Sequence, residues 1–219
     1  MKIWLAIPAY TGQVHIATMR SLITDFMGFA NRGDNVLVYD ECGSAIIADA
    51  RAEIVAKFLS SDADTLIFID SDVAWESGAA LRLADYPVDF VGGIYPMRKD
   101  PIEYRVLWDT SKQDLQAENG LLEVEAIPAG FMKMSRSMLE KMYKHYSDLE
   151  HYCENAPNNK AIALFDPYWE DGKKFGEDYS FCKRWRDIGG KVWIDPEIKM
   201  AHIGNKTFEG HIGNYLRNR

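Results

Sequence analysis

The chain has 219 residues, of which 47% are hydrophobic, and it carries a formal net charge of -8 at pH 7. This length is enough for one large domain or two small, closely packed domains with a sizeable core. The acidic balance argues against nucleic acid or an anionic membrane surface as a partner, because both need basic patches. An anionic phosphate substrate is compatible with it if a metal ion supplies positive charge. No apolar stretch approaches the roughly 20 residues that span a bilayer, so we expect no transmembrane segment.

The cysteines and the first residues favour a cytoplasmic location. Cys42, Cys153 and Cys182 are odd in number and lack Cys-X-X-Cys spacing, so we expect reduced thiols. The apolar stretch 1–7 is short and is interrupted by Pro8, which does not fit a signal peptide.

Residues 1–72 are predicted to alternate between strands and helices. Continuous apolar runs predict strands, and apolar residues that recur at helical spacing predict helices. The predicted elements are a strand at 2–8, a helix at 16–30 with a turn at 31–35, a strand at 36–39, a helix at 44–59 and a strand at 65–69. This order is the signature of a parallel, doubly wound α/β sheet.

The elements predicted after residue 72 alternate less regularly. They are a helix at 76–84, a strand at 88–91 ending in Gly92-Gly93, and strands at 104–108 and 121–125 around a polar loop at 109–120. An alternating run at 131–134 leads into a helix at 137–146, and a polar surface loop or flexible lid follows at 148–160. The last elements are a helix at 177–188, a strand at 191–194 and a tail with His202 and His211. The composition changes near residue 100 without a linker, which divides the chain into two halves.

The strand at 65–69 ends in two carboxylates, Asp70 and Asp72. Its residues are β-branched, aliphatic or aromatic, which is typical of a strand buried on both faces, and ligands bind beyond the carboxyl ends of such strands. Side chains at i and i+2 point the same way, so both carboxylates can face one cation while Ser71 turns away. Mg²⁺ and Mn²⁺ prefer such oxygen ligands and share them with phosphates. The alternative is that these residues only form a turn after the strand.

Four features, in this order, make the chain resemble the GT-A glycosyltransferases. They are the first strand and loop Ile7-Pro8-Ala9-Tyr10, the pair Ala50-Arg51 that is similar to the family's "AR" segment, the Asp-X-Asp motif Asp70-Ser71-Asp72, and Phe175-Gly176-Glu177-Asp178 that is similar to the "xED" segment and is followed by His202. The resemblance covers most of the chain and extends to small phage- or virus-encoded members. It implies an α/β fold, a single Rossmann-like GT-A domain at 1–219 with a mostly parallel central sheet flanked by helices.

The resemblance implies a hexosyl-type glycosyltransferase with a nucleoside-diphosphate sugar as donor, by default a UDP-sugar, and Mn²⁺ or Mg²⁺ as cofactor. Asp70, Asp72 and His202 would hold the metal, which stabilises the leaving diphosphate as a Lewis acid. The half at 1–100 would bind the donor, and the half at 101–219 would bind the acceptor and carry catalysis. The residues that we expect around the substrates are Pro8, Ala9, Tyr10, Asp40, Glu41, Arg51, Asp70, Ser71, Gly93, Gly130 and Trp169.

For several of these residues, the chemistry of the side chain itself also suggests a role. Carboxylates such as Asp40 and Glu41 accept the N–H and O–H donors of a base or ribose. The guanidinium of Arg51 can pair with a phosphate or an acidic residue, although a solvated arginine is an alternative. Gly93 allows close approach to a ligand or simply a turn. Trp169 can stack on an acceptor sugar or pack in the core.

An acceptor hydroxyl, from a glycan or another compound, needs a base to become a nucleophile. Asp178 is the candidate base, with Glu177 as its neighbour or substitute. A base in this role predicts inversion at the anomeric carbon. The alternative is that Asp178 is only a carboxylate that stabilises the start of a helix.

Other protein classes share part of this pattern. Haloacid-dehalogenase-type phosphohydrolases also open with an apolar strand and Asp-X-Asp, and Asp70 would then be the nucleophile. Against this, the motif follows two strand-helix units, and Ala74 stands where that family usually has Thr or Val. A nucleotidyltransferase fits less well, because no Gly-rich loop with Arg or Lys follows the first strand. A non-catalytic module that binds a nucleotide sugar or a glycan is the third alternative.

Overall fold

The computed structural model describes residues 1–109 and 117–218. In chain order, its helices are α1 (Ile16–Asn31), α2 (Ile47–Ser60), α3 (Ala79–Asp85), α4 (Arg136–His145), α5 (Glu177–Asp187) and α6 (Ile212–Arg217). Its strands are β1 (Lys2–Ala9), β2 (Asn35–Cys42), β3 (Thr65–Ile69), β4 (Val73–Trp75), β5 (Phe90–Gly92), β6 (Ala117–Glu118), β7 (Leu121–Val124), β8 (Phe131–Ser135), β9 (Glu150–Tyr152), β10 (Lys160–Ile162), β11 (Tyr168–Glu170), β12 (Lys173–Phe175), β13 (Val192–Ile194), β14 (Lys199–Ile203) and β15 (Thr207–His211).

Within the described ranges, eight strands form the central sheet in the order β2-β1-β3-β8-β5-β13-β7-β6. β1 pairs in parallel with β2 and β3, and β13 pairs in parallel with β5. β8 and β7 are antiparallel to their neighbours, so six of the eight strands point the same way. The predicted α/β architecture with a mostly parallel central sheet is therefore confirmed. The two halves of the chain interleave in this sheet, because β8, from after residue 100, lies between β3 and β5.

Helices cover both faces of the central sheet, which explains the continuous apolar run of β3. All five residues of β3 are buried. Leu66 and Phe68 pack in the core that includes α2, α4 and α5, whereas Ile67 and Ile69 pack in the core that includes α1 and α3. Each such side chain stabilises the fold by about 1.5–3 kcal/mol when it leaves water. β3 is therefore the buried central strand that the sequence predicts, and it ends directly before Asp70.

A three-stranded antiparallel sheet, in the order β15-β14-β4, stands beside the carboxyl end of β3. β4 follows directly after Asp72, and its pairing with β14 places His202 opposite Val73. The segment after residue 194 was predicted only as a tail, so its strands and α6 correct that prediction. The strands are short and mix polar with apolar residues, which hides them from a periodicity analysis.

The predicted strand at 104–108 and the end of the predicted loop at 109–120 were wrong. Residues 104–108 were expected to form a strand, but Tyr104 makes only an isolated bridge with Pro96, and Leu107 makes one with Ala126. A longer ladder along Pro96 is disfavoured because proline has no N–H to donate. Residues 110–116 of the predicted loop at 109–120 lie outside the described residues, and the loop's end forms β6.

The polar stretch 148–160 was expected to be a surface loop or lid, but it forms most of a hairpin. β9 pairs with β10, and Asn158 and Asn159 between them have φ of 56° and 55°. Asparagine adopts this left-handed conformation more easily than most residues. Ala161 and Ile162 are buried and hold the hairpin in place. These anchors lie just beyond the polar stretch, which is why the prediction missed the hairpin.

Candidate active site

Asp70 and Asp72 lie beyond the carboxyl end of β3, between the central sheet and the β14–β15 hairpin. The backbone N–H of Asp70 donates to the carbonyl of Gly130 at 2.9 Å. The carbonyl of Asp72 accepts from the backbone N–H of Ile203 at 2.8 Å. Backbone contacts with two different sheets therefore fix the two residues on either side of Ser71.

Arg51 joins the Asp-X-Asp motif to the start of α5. Its side chain is buried, and it donates from Nη2 to Asp70 Oδ1 at 2.9 Å and from Nη1 to Glu177 Oε1 at 2.6 Å. Burial alone would lower the pKa of Arg51, but the charges of Asp70 and Glu177 outweigh it and raise the pKa above its usual value. The guanidinium is thus a permanent cation between two carboxylates. The solvated arginine that we considered as an alternative does not occur.

Gly130 makes room for the carboxylate of Asp70. A Cβ at this position would lie 2.5 Å from Asp70 Oδ2 and 2.6 Å from the Tyr95 hydroxyl. That hydroxyl lies 3.5 Å from Asp70 Oδ2 and accepts from the backbone N–H of Gly130 at 3.2 Å. Burial, followed by the charge of Asp70, raises the pKa of Tyr95 well above its usual value, so the phenol is neutral. Any larger residue at position 130 would displace Asp70 or Tyr95.

His202 faces the carboxylate of Asp72. Its Nδ1 lies 3.0 Å from the carbonyl of Pro96, which can only accept, so Nδ1 carries the proton and Nε2 presents a lone pair. Nε2 lies 3.7 Å from Asp72 Oδ1. Burial lowers the pKa of His202 below its usual value, and the nearby charge of Arg98 acts in the same direction. A neutral imidazole that a carbonyl orients through its other nitrogen is the usual form of a histidine metal ligand.

The donor set fits a divalent cation that shares its ligands with phosphate. Among residues 1–109 and 117–218, no three Asp, Glu, His or Cys side chains form a group that could hold a metal ion by themselves. Asp72 and His202 face each other, whereas Asp70 Oδ1 is bonded to Arg51. Mg²⁺ and Mn²⁺ commonly use one or two protein ligands together with water and substrate phosphates, which matches this arrangement.

Asp178 and Glu177 lie in the first turn of α5. Glu177 is bonded to Arg51, while Asp178 Oδ1 accepts from the backbone N–H of Tyr179 at 2.8 Å. Burial, followed by the charge of Glu177, raises the pKa of Asp178 to about 6, although Arg51 and Arg105 act in the opposite direction. A carboxylate with this pKa is ionised at neutral pH and is more basic than an ordinary aspartate, which suits a general base.

The residues expected around the nucleotide base lie at the carboxyl ends of β1 and β2. Pro8 pairs with Glu41, and Ala9 with Cys42. Asp40 and Ala9 line an apolar groove of about 390 Å³ against α1. Glu41 points to the opposite face, where it accepts from Tyr39 at 3.0 Å and pairs with Lys57 at 3.2 Å. The two carboxylates therefore serve different faces of the sheet.

The remaining candidate residues are distributed around the site. Tyr10 is 64% exposed in the loop after β1, and the carbonyl of Ser71 accepts from the backbone N–H of His15 at 2.8 Å. A Cβ at Gly93 would lie 2.8 Å from the sulfur of Met200, so core packing already accounts for this glycine. Trp169 is 69% exposed on the β11–β12 hairpin, which rules out the core packing considered above.

Two residues close to the motif carboxylates, Tyr95 and Arg98, are not recognisable as site residues from the sequence. Tyr95 contacts Asp70, and Arg98 forms an ion pair with Asp72. Their sequence context, shortly after Gly92-Gly93, carries no spacing that points to this chemistry. The contacts appear only when the segment after β5 folds against His202.

Comparisons with known proteins agree with this architecture. No family model and no curated protein matched the sequence. The structure of A197 from STIV is 19% identical and has a TM-score of 0.60, with 97% of this chain and 91% of that chain covered. The structure of GalNAc-T7 with UDP, GalNAc and Mn²⁺ is 12% identical and has a TM-score of 0.51. That match covers 94% of this chain and 44% of that chain, so this chain spans less than half of GalNAc-T7. At these identities the likeness shows the fold alone, which is a single GT-A-like α/β domain.

Proposed function

We propose that the protein is a metal-dependent glycosyltransferase that moves a sugar from a nucleoside-diphosphate sugar to an acceptor hydroxyl. One observation carries the proposal: the buried Arg51 joins Asp70 of the Asp-X-Asp motif to Glu177, the neighbour of a carboxylate whose pKa is raised to about 6. An arrangement of this kind brings a site for the leaving group and a base for the nucleophile to the same end of the sheet. The GT-A fold supports the same activity.

Asp72 and His202, with Asp70 beside them, are the residues that would hold Mn²⁺ or Mg²⁺. The ion would supply Lewis-acid stabilisation of the leaving diphosphate. Asp72 would present a carboxylate oxygen and His202 its unprotonated Nε2, while the carbonyl of Pro96 keeps the imidazole in that tautomer. Arg51 keeps Asp70 directed towards the site by a hydrogen bond that spans 19 residues of sequence.

Asp178 is the proposed general base. As the acceptor oxygen attacks the anomeric carbon, Asp178 takes the hydroxyl proton, and the bond between that carbon and the diphosphate oxygen breaks with its electron pair on the diphosphate. Attack from the face opposite to the leaving group inverts the anomeric configuration. NMR of the product tests this step, and a retained configuration would remove Asp178 from the role.

The proposal assigns the first half of the chain mainly to the donor and the second half mainly to the acceptor. Pro8, Ala9 and Tyr10 would surround the base, with Asp40 or Glu41 as the acceptor of its hydrogen bonds. Uridine is the default base, and GalNAc-T7, which shares the fold, was solved with UDP. Trp169, exposed on a hairpin shortly before α5, offers an apolar face to an acceptor sugar.

A cytoplasmic location and the absence of nucleic acid as a partner stay predictions. Within the described ranges, every helix is too short or too polar to cross a bilayer.

A thermal-shift screen of the purified protein tests the proposed site. UDP, GDP, CDP and dTDP are each added with Mn²⁺ and with EDTA, to the wild type and to Asp72→Asn. We expect one diphosphate to stabilise the wild type only with metal, by roughly 2.7 kcal/mol at 100 times its dissociation constant. We expect no such shift in Asp72→Asn. No shift with any of the four nucleotides would contradict the proposal.

Two further results would favour the alternatives. Hydrolysis of p-nitrophenyl phosphate without any nucleotide would favour a phosphohydrolase, although the bond from Arg51 to Asp70 makes this carboxylate a poor nucleophile. Ligand binding that survives Asp178→Ala, together with no turnover of any donor by the wild type, would favour a binding module.

A further inference from the structure

Arg98 lies at the candidate metal site but has no part in the function described so far. Its Nη2 forms an ion pair with Asp72 Oδ2, while the other oxygen of the same carboxylate lies 3.7 Å from His202 Nε2. The arginine side chain is 42% exposed. It can therefore change partner without disturbing the core.

The surrounding backbone directs Arg98 to this place. The carbonyl of Pro96 is bonded to His202, and the backbone N–H of Met97 donates to the carbonyl of Glu103 at 2.8 Å. These contacts hold the loop 96–104 against β14. A Cβ at Gly204 would lie 3.0 Å from Arg98 Cδ, so the glycine leaves room for the aliphatic part of the side chain.

The charges at this site predict an exchange of partners. A divalent cation on Asp72 and His202 would repel a guanidinium that is paired with the same carboxylate. A diphosphate bound beside both cations would remove this repulsion, because its negative charge would attract each of them. The planar fork of an arginine matches the oxygens of a phosphate, and charge-assisted bonds of this kind are among the strongest hydrogen bonds.

We propose that Arg98 exchanges Asp72 for the β-phosphate of the donor when nucleotide and metal bind, and that it neutralises the leaving diphosphate. This inference rests on the proposed function. As the bond between the anomeric carbon and the β-phosphate oxygen breaks, the electron pair stays on that oxygen. The new bond forms from the acceptor oxygen, whose proton goes to Asp178. Arg98 donates hydrogen bonds to the β-phosphate and transfers no proton.

Neighbouring cations are less suited to this role. Arg51 is buried and already bonded at both Nη atoms. Lys99 is paired with Glu103, and Lys206 is paired with Asp100. Lys99 is the next residue of the same exposed loop, so it provides a matched control for charge removal.

Isothermal titration calorimetry of the full chain with UDP in saturating Mn²⁺ tests the proposal. If the wild type binds GDP, CDP or dTDP instead of UDP, that diphosphate is used. We expect Arg98→Ala to weaken binding of the diphosphate by about 10–100-fold and Arg98→Lys to weaken it less. Lys99→Ala should bind as the wild type does. The corresponding monophosphate should bind wild type and Arg98→Ala with similar affinity, because it lacks the β-phosphate. Titration with Mn²⁺ alone should show no loss of affinity in Arg98→Ala.

The possible failures are distinguishable. Wild-type protein that binds none of these diphosphates with metal would overturn the proposed function together with this inference. Wild-type protein that binds, with Arg98→Ala binding equally well, would overturn only the inference. Equal losses for the diphosphate and the monophosphate, or weaker binding of Mn²⁺ alone, would also overturn it, since Arg98 would then act on another part of the site.

Discussion

Arg51 holds two carboxylates that lie far apart in the sequence, Asp70 at the end of β3 and Glu177 at the start of α5. The guanidinium is buried, whereas each carboxylate side chain is 27% exposed. Removing the cation would therefore leave two like charges close together, only partly compensated by solvent. In the proposed mechanism, Arg51 is therefore a positioning residue for the Asp-X-Asp motif and for the proposed base Asp178.

Replacing Arg51 with methionine should destabilise the fold and change the acid-base behaviour of the site. We expect the free energy of unfolding to fall by about 2–4 kcal/mol, near the lower end for a broken buried pair because solvent reaches the carboxylates. Since Arg51 lowers the pKa of Asp178, the midpoint of the pH-rate profile should also move upward. Urea denaturation and the pH-rate profile measure the two effects.

Two variants control this experiment. Arg51→Lys keeps the charge but cannot bond both carboxylates through a planar fork, so it should show a smaller change in the pH midpoint. Arg32→Met removes surface ion pairs with Asp34 and Asp85 and should change both measurements little. A pH midpoint that is unchanged in Arg51→Met would contradict the positioning role.

The raised pKa of Asp178 gives the proposed reaction a defined pH dependence. The base acts as a carboxylate, so kcat/KM should rise as the pH rises through about 6 and then reach a plateau. Asp178→Asn should lose about 100-fold or more of the activity at all pH values. A profile without an inflection near this pH would argue for a different base.

The same pKa shift has a consequence for stability. An aspartate whose pKa rises on folding binds protons more tightly in the folded state, so its contribution to stability falls as the pH rises from about 4 to 6 and stays low above that. Asp178→Asn should therefore be more stable than the wild type at pH 8, by about 1–2 kcal/mol for this half-buried group, and nearly equal to it at pH 3. A destabilised Asp178→Asn at pH 8 would contradict this assignment.

The β14–β15 hairpin brings His202, the third candidate metal ligand, to the Asp-X-Asp motif. Replacing His202 with alanine should weaken binding of Mn²⁺ in the presence of nucleotide by about 10–100-fold. Loss of a group that only orients a metal ligand already has an effect of this size. His211, on the neighbouring strand, accepts from the backbone N–H of Asn214 and lies 3.5 Å from Glu197. His211→Ala should therefore bind Mn²⁺ normally. Electron paramagnetic resonance of free Mn²⁺ measures both variants, and equal losses would mean that the hairpin, rather than His202, is responsible.

The sequence predicted the elements that have strong hydrophobic patterns. β1, β2 and β3 were placed correctly to within a few residues, as was α5, because long apolar runs and helical stripes decide these elements. The segments at 104–108 and 148–160 and the tail were wrong because isolated bridges, short hairpins and small sheets depend on tertiary partners. Val73, for example, becomes part of β4 only by pairing with β14.

Spacing within the sequence identified the candidate residues but not how they contact each other across the molecule. Asp70 and Asp72 are recognisable because they lie two residues apart directly after an apolar strand. The bond from Arg51 to Glu177 spans 126 residues, and no local pattern predicts it. The ion pair of Arg98 with Asp72 depends likewise on how the loop 96–104 packs against β14.

Release of nucleoside diphosphate from nucleotide sugars by the purified chain is a direct measure of the proposed reaction. Wild type and Asp178→Asn are compared with Mn²⁺ and with EDTA, with water as the acceptor in slow hydrolysis. We expect metal-dependent release from donors of one base. Asp178→Asn should lose this release although it still binds the diphosphate. Three results would contradict the proposed reaction. They are equal release by Asp178→Asn, release in EDTA, and hydrolysis of p-nitrophenyl phosphate by a protein that releases no diphosphate from any donor.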